Sequence, residues 1–370
     1  MTVHVGVNAL FVRAGIVGGT ETYVVELLRA LDQADPEFEF TVYANSGLLA
    51  SHPDLGVRHR FVAVDAPDVP PARRIVAEHT WLVRCVRRDG IDLLHHLGGT
   101  VPSLSSAPGL VTIHDIQPIL HPERFSMVKR TYLRTALPAA LRRSVRSVAV
   151  SDFTREQMIA QLSADPDKVD VVRIGVDPSP VPSGVDPGIA GRYFLHPAIA
   201  YEHKGHRTLI RAFGMLDRDD VRLVLTGGSG PIEAEVMAAL EASPVADRID
   251  RLGWVTAERL DGLYRGAVAL SFPSEYEGLG IPALEAMARD CPVIATQTTG
   301  LTEAVGDAGV LVEIGDLRAL VAAMERLLDD DSERQRLIAA GRARVAEFSW
   351  DHSAQAQLES YRRTLADLAG

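Results

Sequence analysis

The sequence predicts an α/β protein built from two doubly wound, Rossmann-like domains, and three observations predict it. Short apolar runs alternate with helical patterns along the whole chain, as parallel sheets joined by crossover helices require. A length of 370 residues is long for one core and comfortable for two. The alternation lapses over 177–191, where four prolines and three glycines among fifteen residues leave no apolar period, and then restarts. The expected division is a first domain over 1–177, a linker over 178–191 and a second domain over 192–350.

In the first half, residues 3–8 read as a strand, 15–19 as a glycine-rich turn, and 20–31 as a helix with Val24, Leu27, Leu28 and Leu31 on one face. This strand–Gly-Gly–helix unit, GIVGGTETY, aims backbone amides beyond the C-terminal edge of a sheet. It lacks the full G-x-G-x-x-G, and a tight turn needing only the φ freedom of glycine explains it equally well. Strands follow at 38–44 and 57–64, then a helix over 72–88 and strands at 92–97 and 110–114. The last of these runs into His114–Asp115, at the strand end where open α/β sheets hold ligands.

The helix expected over 127–145 is basic: Lys129, Arg130, Arg134, Arg142, Arg143 and Arg146 occur with no acidic residue between 129 and 146. With Tyr132, Leu133, Leu137 and Leu141 it is partly amphipathic and could meet an anionic membrane surface or an acidic acceptor. The plainer reading, which we favour, is a solvated helix face broken at Pro138. Strands at 148–151 and 169–174 close the first half, and SDFTREQM between them is a capped helix start.

The second half repeats the pattern. Strands are expected at 192–197, 221–226, 249–253, 268–272, 293–295 and 310–312, with helices over 205–215, 258–264, 317–328, 332–348 and 351–368. The strand ending at Thr226 runs into Gly227–Gly228–Ser229–Gly230, another turn suited to face a phosphate or a base.

Composition narrows the function. At 46% apolar and 24% charged residues the chain reads as a soluble globular protein, and a net charge of −11 argues against a nucleic-acid binder, which needs a basic surface to neutralise phosphates. Cys85 and Cys291 lie far apart in apolar contexts, so neither a disulfide framework nor a metal cluster is implied, which fits a reducing cytoplasm. The first residues read as a strand and not as a signal peptide, and no window reaches 18 apolar residues. The expected location is cytoplasmic, with the inner membrane face as the place for any peripheral contact.

The stretch over 269–289, ALSFPSEYEGLGIPALEAMAR, organises the rest. It reads as a buried strand, a Pro/Ser/Gly loop and a helix beginning near Ile281–Pro282, where proline is favoured because its missing N–H costs nothing. Glu277 and Glu285 have seven residues between them, and Gly278 and Gly280 let bare N–H groups face a ligand. Free amides attract a diphosphate, and a carboxylate accepting from vicinal hydroxyls holds a sugar or ribose. A sugar nucleotide has both.

SEYEGLGIPALEAMA resembles the E-x7-E signature of retaining glycosyltransferases of family 4, which have the GT-B fold; Leu279 stands where phenylalanine is usual. The resemblance extends over nearly the whole chain. VTIHDIQPILHPERF resembles the HD-x-x-P stretch whose His contacts the transferred sugar, and PAIAYEHKGHRTLIRAF resembles the segment whose Lys binds the diphosphate. It implies two domains facing across a cleft, a last helix crossing back to the N-terminal domain, an acceptor on the N-terminal side and the nucleotide sugar in the C-terminal domain. By the same resemblance Glu285 accepts from ribose hydroxyls and Glu277 from a sugar hydroxyl. Gly278, Leu279 and Gly280 engage sugar and phosphate through their amides, Lys204 the diphosphate and His114 the transferred sugar, with Gly18 and Gly19 beside the diphosphate and Gly227 in a further ligand-facing turn. VVRIGVD matches the family's end-of-domain pattern except that Gly175 stands where asparagine is common.

Relatives often add an arginine upstream of the lysine, where this chain has Pro197, Ala198 and Ile199; Arg207, His203 or His206 are the candidates to compensate. No metal is expected: Asp217–Arg218–Asp219–Asp220 contains an Asp-x-Asp and reads as a polar surface turn, while His203 and His206 lack a third ligand. No cofactor beyond the donor itself is implied. The expected activity is hexosyl transfer from a nucleotide sugar to a hydroxyl acceptor, by front-face substitution with the leaving phosphate oxygen as base. The alternatives are another GT-B enzyme, such as an epimerase or a phosphorylase, and a catalytically idle carbohydrate-binding module.

Overall fold

A computed structural model describes every residue except 1, 14–17, 33, 65–70, 106, 178–185 and 370. The chain divides into two compact units, Met1–Gly175 with Ser349–Gly370, and Val176–Phe348. Part of the expected linker, 178–185, and most of the glycine-rich turn over 15–19 lie outside the described residues.

The first unit runs β1 (Val3–Asn8), α1 (Gly18–Leu31), β2 (Phe38–Asn45), α2 (Ser46–Ser51), α3 (Leu55–Arg58), β3 (Arg60–Val64), α4 (Pro71–Ala77), a π-helical turn over Glu78–Leu82, α5 (Val83–Asp89), β4 (Leu93–His96), β5 (Gly109–Ile113), α6 (Gln117–Leu120), α7 (Met127–Arg143), β6 (Arg146–Ala149), α8 (Asp152–Leu162) and β7 (Val169–Val171). The strands form a 7-stranded parallel sheet in the order β3-β2-β1-β4-β5-β6-β7. Chain direction across the sheet reverses between β1 and β4, so the ends of β1, β4 and β5 border the switch point where such sheets hold ligands.

In the second unit come β8 (Arg192–Pro197), α9 (His206–Gly214), β9 (Val221–Thr226), α10 (Glu233–Glu241), β10 (Ile249–Gly253), α11 (Ala257–Gly266), β11 (Ala269–Phe272), α12 (Ile281–Met287), β12 (Val293–Thr296), α13 (Thr299–Val305), β13 (Val310–Val312), α14 (Leu317–Asp329) and α15 (Asp331–Val345). Its 6-stranded parallel sheet has the order β10-β9-β8-β11-β12-β13, with the reversal between β8 and β11. Phe194, Leu223 and Leu225 of the sheet pack against Leu209 and Phe213 of α9 and Met324 and Leu327 of α14.

The last helix, α16 (Trp350–Ala369), belongs to the first unit. It buries Trp350, Ala354, Leu358 and Tyr361, and the Tyr361 hydroxyl lies 2.8 Å from Nδ1 of His95, whose Nε2 is 2.8 Å from the Thr112 hydroxyl. Arg146, buried at the start of β6, binds Asp170 at 2.8 Å and Asp367 of α16 at 2.9 Å. Gly175 is explained by this helix: a Cβ there would lie 2.6 Å from the backbone nitrogen of Trp350.

Two local expectations are corrected. The strand expected over 57–64 starts only at Arg60, because Leu55–Arg58 closes a single helical turn in which the His59 amide bonds to the Leu55 carbonyl at 2.9 Å. The break expected at Pro138 does not occur; α7 continues through it, held by Leu137 and Ala140 in the core of the first unit. A proline forfeits one helical hydrogen bond, which packing on both sides of it offsets here.

Candidate functional site

In the second unit the loop between β11 and α12 forms one connected polar structure. Lys204 ends a tight 3-10 turn, Glu202–Lys204, followed by Gly205 at φ +74°. A side chain at 205 would strike the Pro273 carbonyl, so glycine lets the two loops touch. Lys204 thereby meets Glu277: its Nζ donates to Oε1 at 2.7 Å, with the two side chains 19% and 11% exposed. The Ser274 hydroxyl is 2.6 Å from the same Oε1 and 3.0 Å from the His203 carbonyl, and the Lys204 ammonium also lies 5.5 Å from the centre of the Phe272 ring.

A third segment, the β12–α13 turn, completes the loop. The Glu277 amide donates to the Thr299 hydroxyl at 2.9 Å, and the Gly300 amide donates to the Glu277 carbonyl at 3.1 Å. Thr299 holds φ +47°, an uncommon backbone for a β-branched residue, and its hydroxyl does the holding. The amides of Leu279 and Gly280 donate to nothing among the described residues, although Leu279 itself is buried. Gly280 caps α12 at φ +107°, a conformation that leaves its side without a Cβ beside Leu301.

Glu285 sits within α12 and accepts at Oε2 from the Tyr264 hydroxyl at 2.9 Å. Burial pushes its carboxyl above the ordinary range, while Arg289 and the Tyr264 bond pull the other way. Its Oε1 has no protein partner among the described residues. The structure thus offers two carboxylates and unbonded amides along one loop and the helix that follows it, with Lys204 reaching Glu277 from the turn before α9. Such a set can hold an anion and several hydroxyls at once.

Two of the three candidates to assist Lys204 are turned elsewhere. Arg207 pairs with Glu202 and Glu235, and the buried His206 reaches the Ala198 carbonyl at 3.3 Å. Gly227 has its amide engaged, donating to the Gly253 carbonyl at 2.8 Å. What glycine supplies at φ +111° is close approach, since a Cβ would come within 2.5 Å of the Ala198 carbonyl oxygen. Asp220 is gripped by Arg192 and Arg218, and no group of three metal-ligating side chains occurs among the described residues.

In the first unit His114 lies just past β5, where its Nε2–H donates to the Leu97 carbonyl at 3.0 Å. That bond leaves Nδ1 as a lone-pair acceptor, and burial lowers the ring's basicity, so the imidazole is neutral. Tyr23 of α1 packs edge-on against it at 4.8 Å. Gly18 and Gly19 open α1. No helix among the described residues is long and apolar enough to cross a membrane.

Sequence reasoning missed Ser274, Tyr264 and Thr299. Ser274 lay inside the stretch singled out, and a hydroxyl three residues before a carboxylate in a tight loop was a usable signal. Nothing in the sequence tied Thr299 to Glu277, because that contact depends on β11 and β12 being neighbours.

Residues 17–180 match the family model described as Glycosyltransferase Family 4, and residues 191–344 match Glycosyl transferases group 1. The chain is 32% identical to a D-inositol 3-phosphate glycosyltransferase of Xylanimonas cellulosilytica, over 94% of this chain and 92% of that one. It is 28% identical to O-antigen chain mannosyltransferase B of Escherichia coli, over 74% and 75%. Among solved structures it resembles a sucrose-phosphate synthase of Thermosynechococcus elongatus, with a TM-score of 0.81 at 21% identity over 98% and 99% of the two chains. Anabaena HepE, solved with UDP and glucose, gives 0.76 at 19% identity over 98% and 100%.

Proposed function

We propose a donor and a mechanism on one premise: this chain belongs to glycosyltransferase family 4 and has the GT-B fold. The donor we infer is a nucleotide sugar carrying a hexose, held by the second unit. Glu285 accepts from the ribose hydroxyls through Oε1, with Tyr264 fixing its other oxygen. Glu277 accepts from a hydroxyl of the sugar, and the free amides of Leu279 and Gly280, with that of Gly278, meet the sugar and the diphosphate. Lys204 supplies the positive charge, exchanging Glu277 for the phosphate as the donor enters. In the first unit, which we read as the acceptor side, Nδ1 of His114 accepts from a hydroxyl of the transferred sugar, and Gly18–Gly19 offer backbone to the diphosphate.

The anomeric carbon leaves its diphosphate oxygen and bonds to the acceptor oxygen on the same face, so configuration is retained. The acceptor proton passes to the departing phosphate oxygen, which needs no protein nucleophile. Charge growing on the diphosphate is met by an ammonium and amides already in place, the arrangement that lowers barriers most. We assign that charge to Lys204 and not to a metal, because the Asp217–Asp220 turn spends Asp220 on Arg192 and Arg218. The relatives named as an O-antigen chain mannosyltransferase and a D-inositol 3-phosphate glycosyltransferase support sugar transfer, and the HepE structure with UDP and glucose supports a nucleotide-sugar donor.

One observation carries the reading: Lys204 and Glu277, 73 residues apart, meet at 2.7 Å beside two unbonded amides. The experiment is a thermal-shift screen with UDP-, GDP-, ADP- and dTDP-sugars, followed by turnover with the donor that stabilises the protein. Lys204→Ala and Glu277→Ala are each expected to lower kcat about a hundredfold or more while leaving the melting temperature within a few degrees. A chain that no nucleotide sugar stabilises, or variants that turn over like the parent, would overturn it.

A further inference from the structure

The chain carries a net charge of −11, yet α7 holds basic side chains that pair with no carboxylate among the described residues. Lys129, Arg130, Arg134 and Arg142 make no ion pair among the described residues, and Arg143 spends one nitrogen on the Val101 carbonyl at 3.3 Å. Elsewhere the chain pairs its arginines readily: Arg146, the next basic residue after this helix, is buried between Asp170 and Asp367. The nearest acidic residue before the helix, Glu123, is engaged by His121 and Arg124.

The same helix begins with two large apolar residues turned to water, Met127 at 77% and Val128 at 82% exposure. Beside them Lys129 lies over the Phe125 ring at 4.8 Å. At the other end, the carbonyl that Arg143 binds belongs to the loop carrying Leu104, itself 66% exposed. Leu137 and Ala140 of α7 are buried in the first unit, while Lys129, Arg134, Arg142 and Arg143 of the same helix are exposed, so these charges stand on a packed support.

A soluble polyanion would use the charges and gain nothing from an exposed methionine and valine. A bilayer with anionic head groups uses both, because arginine and lysine sit over phosphates while short apolar side chains enter the acyl boundary. We propose that this face of α7 docks on an anionic lipid bilayer, with Met127 and Val128 as the inserted residues. The docking is independent of which donor the second unit binds. It would bring the first unit to acceptors that reside in or on such a membrane.

The test is co-sedimentation of the full chain with vesicles of phosphatidylcholine alone and of phosphatidylcholine with a quarter phosphatidylglycerol. Binding is expected only to the second, and is expected to weaken with added salt. Each basic residue near such a surface is worth roughly a fivefold change in affinity, so Arg130→Gln/Arg134→Gln/Arg142→Gln should bind about a hundredfold less tightly. Met127→Ser/Val128→Ser should lose about tenfold for these vesicles and nothing for heparin, a polyanion without an apolar interior. Melting temperatures equal to the parent's keep misfolding out of the comparison. No binding to anionic vesicles, equal binding to neutral ones, or a Met127/Val128 variant that binds like the parent would each overturn the proposal, the last pointing instead to an acidic macromolecule.

Discussion

His206, the first residue of α9, stands two residues beyond Lys204 and is fully buried, with its Nε2–H directed at the Ala198 carbonyl and its ring edge-on to His196 at 4.5 Å. Burial, and next the positive charge of Arg251, lower its pKa to about 4. Glu233 and the carbonyl bond act in the other direction, and Lys204 adds to the lowering. The folded protein therefore keeps this imidazole neutral at a pH where the unfolded chain, with an ordinary value near 6.5, has taken up a proton. Stability tied to this group is complete above about pH 6.5 and is lost as pH falls towards 4. Between pH 7 and pH 5 the loss amounts to about 2 kcal/mol. Urea unfolding at the two pH values should show His206→Gln losing less stability than the parent by about that amount. Equal pH dependence in the two proteins would show that the ring is not held neutral. The histidine serves the loops flanking Lys204 and has no need to touch a ligand.

At the scale of elements, the loop from Ser274 to Gly280 is shaped less by its own sequence than by the turn into α13. Gly300 donates to the Glu277 carbonyl, and a Cβ at 300 would strike the Gly278 carbonyl oxygen. Gly300→Ala must push the two turns apart, which should cost about 1–3 kcal/mol, typical of overpacking. Because Glu277 moves with the displaced backbone, the affinity for a stabilising nucleotide sugar should fall at least tenfold while the circular dichroism spectrum is unchanged. An alanine variant that binds the donor as the parent does would show the contact to be incidental. This turn also marks where the sequence stops being readable. Strands such as Val3–Asn8 and Val221–Thr226 and the capped helix start at SDFTREQM were legible because their signals are local: an apolar run, a short polar side chain before a helical pattern. Glu277, Glu285 and Lys204 could be singled out because they lie in recognisable stretches. The partners that set their geometry could not, since Thr299 reaches Glu277 only through neighbouring strands and Gly227 loses its free amide to Gly253, 26 residues further on. The one-turn helix at Leu55–Arg58 and the continuation of α7 through Pro138 were hidden for the same reason, being decided by packing over propensity.

For the molecule as a whole, the most consequential feature is that the first unit is finished by the last part of the chain. Residues 176–348 fold as the second unit between two pieces of the first, and α16 then supplies core side chains to a sheet built some two hundred residues earlier. Trp350, Ala354, Leu358 and Tyr361 are buried there, with Tyr361 bonded to His95 of β4 and Ser360 bonded to Asp170 at 2.7 Å. Each large side chain among them contributes roughly 1.5–3 kcal/mol, so their joint loss is comparable to the whole stability of about 5–15 kcal/mol expected of a domain. It would also strip Arg146 of Asp367 and uncover Tyr23, whose ring lies 6.4 Å from Trp350. A chain ending at Phe348 should therefore lose the cooperative transition of the first unit, while the second unit melts near its temperature in the full-length protein. Differential scanning calorimetry separates these outcomes, and Tyr361→Phe provides a milder companion expected to cost about 1–2 kcal/mol in the first unit alone. If the shortened chain retained both transitions, α16 would be an accessory to the first unit; if both disappeared together, the two units would share one cooperative transition despite their separate cores.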